Sequence, residues 1–163
     1  MRKFTLSSPC CSSTEIEKLE SHSQPLTNLC SCPQVLIVDD NPFNTMALET
    51  ILHSLKIKCD SVYGGPSALQ KLRDHQANPC SKNCKSYSVL FMDQEMPGMS
   101  GVETVREIKK LQEENQISSE IRIVGCTAHK GKEEVDRFLA SGLESCIFKP
   151  VSISMIKDIL SDF

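Results

Sequence analysis

Val89-Leu90-Phe91-Met92-Asp93-Gln94-Glu95-Met96-Pro97-Gly98-Met99-Ser100-Gly101 is the stretch on which the fold turns. Four apolar residues, Val89 to Met92, run without a break and stop at an acid, Asp93. Pro97, Gly98 and Gly101 follow, so the chain must turn. A short apolar run of this kind reads as a buried strand with Asp93 at its carboxyl end. In an open parallel sheet that end is where ligands and chemistry sit. An ionised carboxylate there can bind a cation or act as a nucleophile.

Outward from this strand the same pattern recurs. Val35-Leu36-Ile37-Val38 is an apolar run ending at Asp39-Asp40-Asn41-Pro42, and Asn41-Pro42 is a helix-start signal. Phe43, Met46, Ala47, Thr50, Ile51 and Leu55 then recur at spacings of three and four, which predicts one buried helical face. A second strand is expected within Ile57–Tyr63, closed by Gly64-Gly65-Pro66, and a short helix over Ser67–His75. After Asp93, Val102, Val105, Ile108 and Leu111 predict a helix and residues 112–120 a polar loop. Ile121–Cys126 predicts a strand ending at Thr127-Ala128. Val135, Phe138 and Leu139 predict a helix stopped at Gly142. Cys146-Ile147-Phe148 predicts a fifth strand ending at Lys149-Pro150, and Ile153, Ile156, Ile159 and Leu160 a last helix. Strict alternation of five strands and five helices argues a parallel sheet with helices on both faces and right-handed crossovers.

All carboxyl ends of such a sheet share one edge. Asp39 and Asp40, Asp93, Thr127 and Lys149 would therefore meet there. Three carboxylates in one site repel one another unless a divalent cation neutralises them, and oxygen-only ligands favour Mg2+. Lys149 offers a point charge to a phosphoryl oxygen and Thr127 a neutral hydroxyl. Ala128 leaves room for the group to enter. Central Asp93 is the candidate nucleophile, forming an aspartyl phosphate. Such catalysis is placement plus charge neutralisation.

Val-Asp-Asp-Asn, Met-Asp-Gln-Glu-Met-Pro-Gly-Met-Ser-Gly, Cys-Thr-Ala and Phe-Lys-Pro together resemble the receiver domain of two-component response regulators, over about residues 34–163. The wording is similar to receivers of hybrid histidine kinases. The resemblance implies a flavodoxin-like fold with strand order 2-1-3-4-5 and a cis Lys149-Pro150 bond. It implies Asp93 as phosphoacceptor, Asp39, Asp40, Asp93 and the Glu95 backbone carbonyl as Mg2+ ligands, and Thr127 and Lys149 on the phosphoryl group. Thr127, Ala128 and position 146 form the family's switch region, and Cys146 stands where many receivers carry an aromatic ring. Ser100 stands where an Asp is frequent, a surface turn of little chemical consequence. The implied partners are a histidine kinase or histidine phosphotransfer protein, and a protein that reads the phosphorylated form.

Composition limits the alternatives. The 163 residues carry a net charge of −3, so no general attraction to nucleic acid or anionic membranes is expected. No run approaches the roughly 20 apolar residues of a membrane span. Residues 1–33, punctuated by Ser and by Pro9, Pro25 and Pro33, read as a flexible tail before a domain at 34–163. The nine cysteines are odd in number, and no secretory signal precedes them, so a reducing cytoplasmic setting is expected. Cys10-Cys11 and Cys30-Ser31-Cys32 are not matched by a pair at zinc-site spacing and read as incidental thiols. The polar stretch 76–86, with Cys80 and Cys84, reads as a surface insertion. With the sequence ending at Phe163, no output domain is expected, and no turnover of a separate substrate. The competing readings are a receiver fold that binds without cycling phosphate, the terminal receiver of a longer hybrid kinase, and a small aspartyl-phosphate hydrolase, which would need a cap domain.

Overall fold

The computed structural model of the chain describes residues 32–80, 84 and 87–161. The tail assigned to 1–33 lies outside the described residues up to position 31, and with it Cys10, Cys11 and Cys30. The elements alternate as expected: β1 Val35–Val38, α1 Pro42–Ser54, β2 Cys59–Val62, α2 Gly65–Ala77, β3 Val89–Asp93, α3 Gly101–Glu113, β4 Arg122–Thr127, α4 Lys132–Leu139, β5 Ser145–Phe148 and α5 Ile153–Ile159. The sheet order is β2-β1-β3-β4-β5, with every pairing parallel. This is the flavodoxin-like order, and its switch point lies between β1 and β3.

The inner strands are buried on both faces, which is why β1 and β3 read as unbroken apolar runs rather than alternating ones. Leu36, Val38, Leu90, Met92 and Ile123 face α2, α3 and α4 through Leu72, Val105, Ile108 and Phe138. Val35, Ile37, Val89, Phe91 and Val124 face α1 and α5 through Leu48, Leu52 and Ile156. Period-two alternation thus splits each strand between two cores.

Helix α1 departs from the expected face. Thr45, Leu48 and Leu52 are its buried residues, whereas Phe43 and Met46 are 77% and 61% exposed. The β1–α1 turn decides this phase. The Asn41 N–H and the Asn44 amide both donate to Asp39 Oδ1, at 2.9 and 3.1 Å. That anchors Asn44 toward the sheet edge and swings Phe43 and Met46 outward.

Two loops also differ. Helix α3 continues through Gln112 and Glu113, and Ile117 beyond it is 3% exposed, so the expected polar loop is shorter and pinned to the core. Ser100 is more than a turn residue: it caps α3 in a reciprocal box with Glu103. Gly101 is required by close approach, since a Cβ there would strike the Asp93 carbonyl oxygen. The Lys149-Pro150 peptide is cis.

Three of the scattered thiols come together. The Sγ atoms of Cys32, Cys80 and Cys84 lie within 4.8 Å of one another, at the amino-terminal edge of β1 and β3. Reading each pair separately missed them; the signal was Cys-x-Cys before one strand and Cys-x3-Cys before its spatial neighbour.

Candidate functional site

Each strand exit delivers one part of the site. Asp39 follows β1 and is 4% exposed, Asp93 ends β3 at 6%, and Thr127 ends β4 at 0%. Lys149 follows β5, placed by its N–H donating to the Thr127 carbonyl at 2.8 Å. Its ammonium then reaches Asp39 Oδ2 at 2.6 Å and Asp93 Oδ1 at 2.5 Å. Carboxylate oxygens of Asp39, Asp40 and Asp93 lie within 4.8 Å of one another. Asp93, Asp40, Glu95, Thr127, Ala128 and Lys149 line one open cleft of about 520 Å³. The reacting residues expected from the sequence therefore come together, and the switch position Cys146 lies half-buried behind them against the core.

The electrostatics follow from one ammonium among three carboxylates. Burial pushes the Asp93 carboxyl up; Lys149 opposes this, and Asp39 and Asp40 add to it. Burial alone would lower Lys149, but its hydrogen bonds and charge contacts with Asp39 and Asp93 prevail and raise it. Lys149 is therefore a fixed cation, and the carboxylate charge exceeds what it can neutralise. Two buried carboxylates and one exposed one, all oxygen donors at an open cleft, fit a hard divalent ion of the Mg2+ type.

Thr127 Oγ1 accepts the His129 N–H at 3.0 Å, which leaves its own O–H to donate into the cleft. The sequence did not reveal His129 as part of the rim. Its Nε2 meets Glu95 Oε1 at 2.7 Å across the mouth, and the Glu95 hydrogen bond and charge raise the imidazole above its ordinary value. Behind the site, the ring packed over β4 comes from α4: Phe138, fully buried, touches Gly125, whose strand partner is Cys146. A second cavity, of about 100 Å³, opens between α1 and the β5–α5 loop, lined by Ala47, Leu48, Phe91, Pro150 and Val151.

Residues 35–161 match the family model described as the response regulator receiver domain. Over 158 residues the chain is 30% identical to the sensor protein EvgS of Escherichia coli, covering 97% of this chain and 12% of that protein. Over 127 residues it is 33% identical to the sensor histidine kinase RcsC of Salmonella typhimurium, covering 78% of this chain and 12% of that protein. The chain thus spans about an eighth of the length of these curated relatives. Among solved structures it is similar in fold to the receiver domain of the histidine kinase CKI1 from Arabidopsis thaliana, with a TM-score of 0.68, 24% identity, and coverage of 78% of this chain and 89% of that one. The Saccharomyces cerevisiae co-crystal of the histidine phosphotransfer protein Ypd1 with the receiver domain of Ssk1 gives a TM-score of 0.68 at 23% identity, covering 83% of this chain and 90% of that chain.

Proposed function

The chain belongs to the response regulator receiver family of two-component phosphorelay signalling, and on that premise we propose that Asp93 accepts the phosphoryl group from a phosphohistidine. The observation that carries this is Asp93 itself: a nearly buried carboxylate at the floor of an open cleft, held by Lys149 Nζ and ringed by Asp39 and Asp40.

A carboxylate oxygen of Asp93 attacks phosphorus and forms the P–O bond. The P–N bond to the donor imidazole breaks, and its electron pair stays on nitrogen, which takes a proton. Lys149 follows the charge from the carboxylate to a phosphoryl oxygen. The Thr127 hydroxyl donates to another, and Ala128 beside it offers no bulk against entry. Asp39, Asp40, Asp93 and the Glu95 backbone carbonyl would hold Mg2+, which supplies neutralisation of phosphoryl charge as it transfers. The role is that of a phosphoacceptor switch without turnover of a separate substrate.

The donor is a histidine kinase or a histidine phosphotransfer protein. Phe43 and Met46 on α1 and Ile153 on α5 are exposed apolar residues on the helices flanking the second cavity, a surface suited to a helical donor. Thr127 and the α4 side toward Cys146 would carry the response, because the added charge draws the threonine hydroxyl inward. Similarity to sensor kinases many times longer than this chain supports its being the receiver of a hybrid kinase. Among the described residues no helix is long and apolar enough to cross a membrane, and the free thiols of Cys59, Cys126 and Cys146 suit a reducing cytoplasm.

Incubation with a small phosphodonor and magnesium, followed by intact-mass measurement, tests this reading. One phosphoryl adduct is expected, absent without magnesium and absent in Asp93→Asn. An adduct undiminished in that variant would place the acceptor elsewhere; no adduct in the native chain would favour a scaffold that no longer cycles phosphate.

A further inference from the structure

The edge of the sheet opposite Asp93 holds a second convergence of ligand-type side chains, and nothing in phosphoryl transfer uses it. Cys32 precedes β1, and Cys80 and Cys84 lie between α2 and β3. Strands β1 and β3 are parallel neighbours with Val35 opposite Val89. Gln34 stitches their starts together through its carbonyl, which accepts from Ser88 at 2.8 Å and Val89 at 3.3 Å, while its N–H donates to the Lys58 carbonyl just before β2 at 3.1 Å. The lead-in to β1 is thereby fixed beside the lead-in to β3. The three Sγ atoms lie within 4.8 Å of one another, and those of Cys32 and Cys84 are 3.7 Å apart.

That separation is informative. Thiolates about 2.3 Å from a central zinc at the corners of a tetrahedron stand about 3.8 Å from one another. A disulfide needs about 2.05 Å. The spacing is that of ligands sharing an ion rather than of a bridge. Cys32 and Cys84 are half-buried while Cys80 is exposed, so an ion has an entry path and a sheltered side.

We propose that Cys32, Cys80 and Cys84 are three ligands of a structural Zn2+ site that clips the segment before β1 to the α2–β3 loop. The fourth corner is open to water. The set is Cys32 before one strand and Cys80 and Cys84 before its neighbour. Loading releases protons: Zn2+ and three thiols give a Zn(SR)3 monoanion with water at the fourth corner and three protons to solvent, with no oxidation or reduction. A bound ion also accounts for the connection between Ala77 and Val89, which is longer than the 2–6 residues usual between a helix and a strand. A zinc clip holds such a loop where thiols stay reduced and a disulfide would not form.

The test uses the 163-residue chain purified without a metal-affinity tag. Elemental analysis is expected to find one zinc per chain. Replacement by Co2+ should produce thiolate-to-cobalt charge-transfer absorption and the visible bands of a tetrahedral ion. Chelation should lower the melting temperature, and added Zn2+ should restore it. Cys80→Ser with Cys84→Ser should bind no zinc and lose that response while still taking a phosphoryl group. The cobalt spectrum of the native chain decides even if the double variant fails to fold. Absent charge-transfer bands, zinc retained by the double variant, or a native mass two hydrogens lighter under reducing-free purification, marking a disulfide, would each overturn the proposal.

Discussion

The two edges of one sheet carry two opposite kinds of cluster. At the carboxyl edge, Asp39, Asp40 and Asp93 come directly from strand exits, and a protein cation, Lys149, holds them together in part. At the amino edge, Cys32, Cys80 and Cys84 come from segments outside the strands. The first cluster is preorganised by the fold and left with surplus charge for a visiting ion and phosphate. The second joins, through its own side chains, two segments that the strands themselves do not contain. Surplus charge costs stability where chemistry is done, while an ion bound by the thiols would add stability where none is done.

The largest expected effect comes from breaking the carboxyl edge at its one cation. Lys149→Ala leaves Asp39 and Asp93 buried without their partner, which should cost about 3 kcal/mol in chemical denaturation. It should also slow phosphoryl acceptance by about 10²–10³, the scale for losing one charge-stabilising donor. Unaltered stability together with unaltered rate would show that Lys149 is a bystander.

Next comes the ground between the edges. The Tyr87 hydroxyl, on a residue 1% exposed, donates to Asp60 Oδ2 at 2.6 Å, and Lys71 pairs with the same oxygen at 3.0 Å. Burial would raise Asp60, but these two partners prevail and hold it below its ordinary value of 3.8. Its contribution is therefore present above that ordinary value and is lost as pH falls through the lowered one. Tyr87→Phe should cost about 1.5 kcal/mol at pH 7 and move Asp60 upward, so that acid unfolding begins at higher pH. Carboxyl titration by NMR checks it; an Asp60 midpoint unmoved in the variant would dismiss the bond.

Asp93→Asn sharpens the comparison because its sign is opposite. Burial, with Asp39 and Asp40, raises the Asp93 carboxyl above its ordinary 3.8. The stability of that group is full below the unfolded value and is lost as pH rises through the folded one. At pH 7 the native chain carries this penalty, and the amide removes it. A gain of about 1 kcal/mol, or some 2–4 °C in Tm, is expected at pH 7, shrinking toward zero near pH 3. A loss of stability at pH 7 would mean that the Lys149 pairing outweighs the repulsion.

The smallest effect concerns α3, whose first turn packs against the Asp93 carbonyl. Ser100→Ala removes the cap shared with Glu103 and should cost about 1 kcal/mol, with Ser100→Asp restoring it. A melting temperature equal to that of the native chain would show that the box is redundant.

The sequence by itself determined the succession of apolar runs and the polar residues at their exits, while the sheet order came from the family resemblance. Runs buried on both faces must be continuous, and polar residues collect where they end. It also carried the Ser100–Glu103 box, legible as Ser-x-x-Glu though read as an ordinary turn. Only the tertiary structure decided which stripe of α1 is buried, because its apolar residues surround much of the helix and the Asp39 hydrogen bonds set its rotation. It alone supplied Phe138 as the ring over Gly125, the His129–Glu95 pair across the cleft, and the meeting of Cys32 with Cys80 and Cys84. Those contacts join residues far apart in the chain through parallel pairing. Periodicity reports what one element buries, but it is silent on which neighbours a crossover brings alongside.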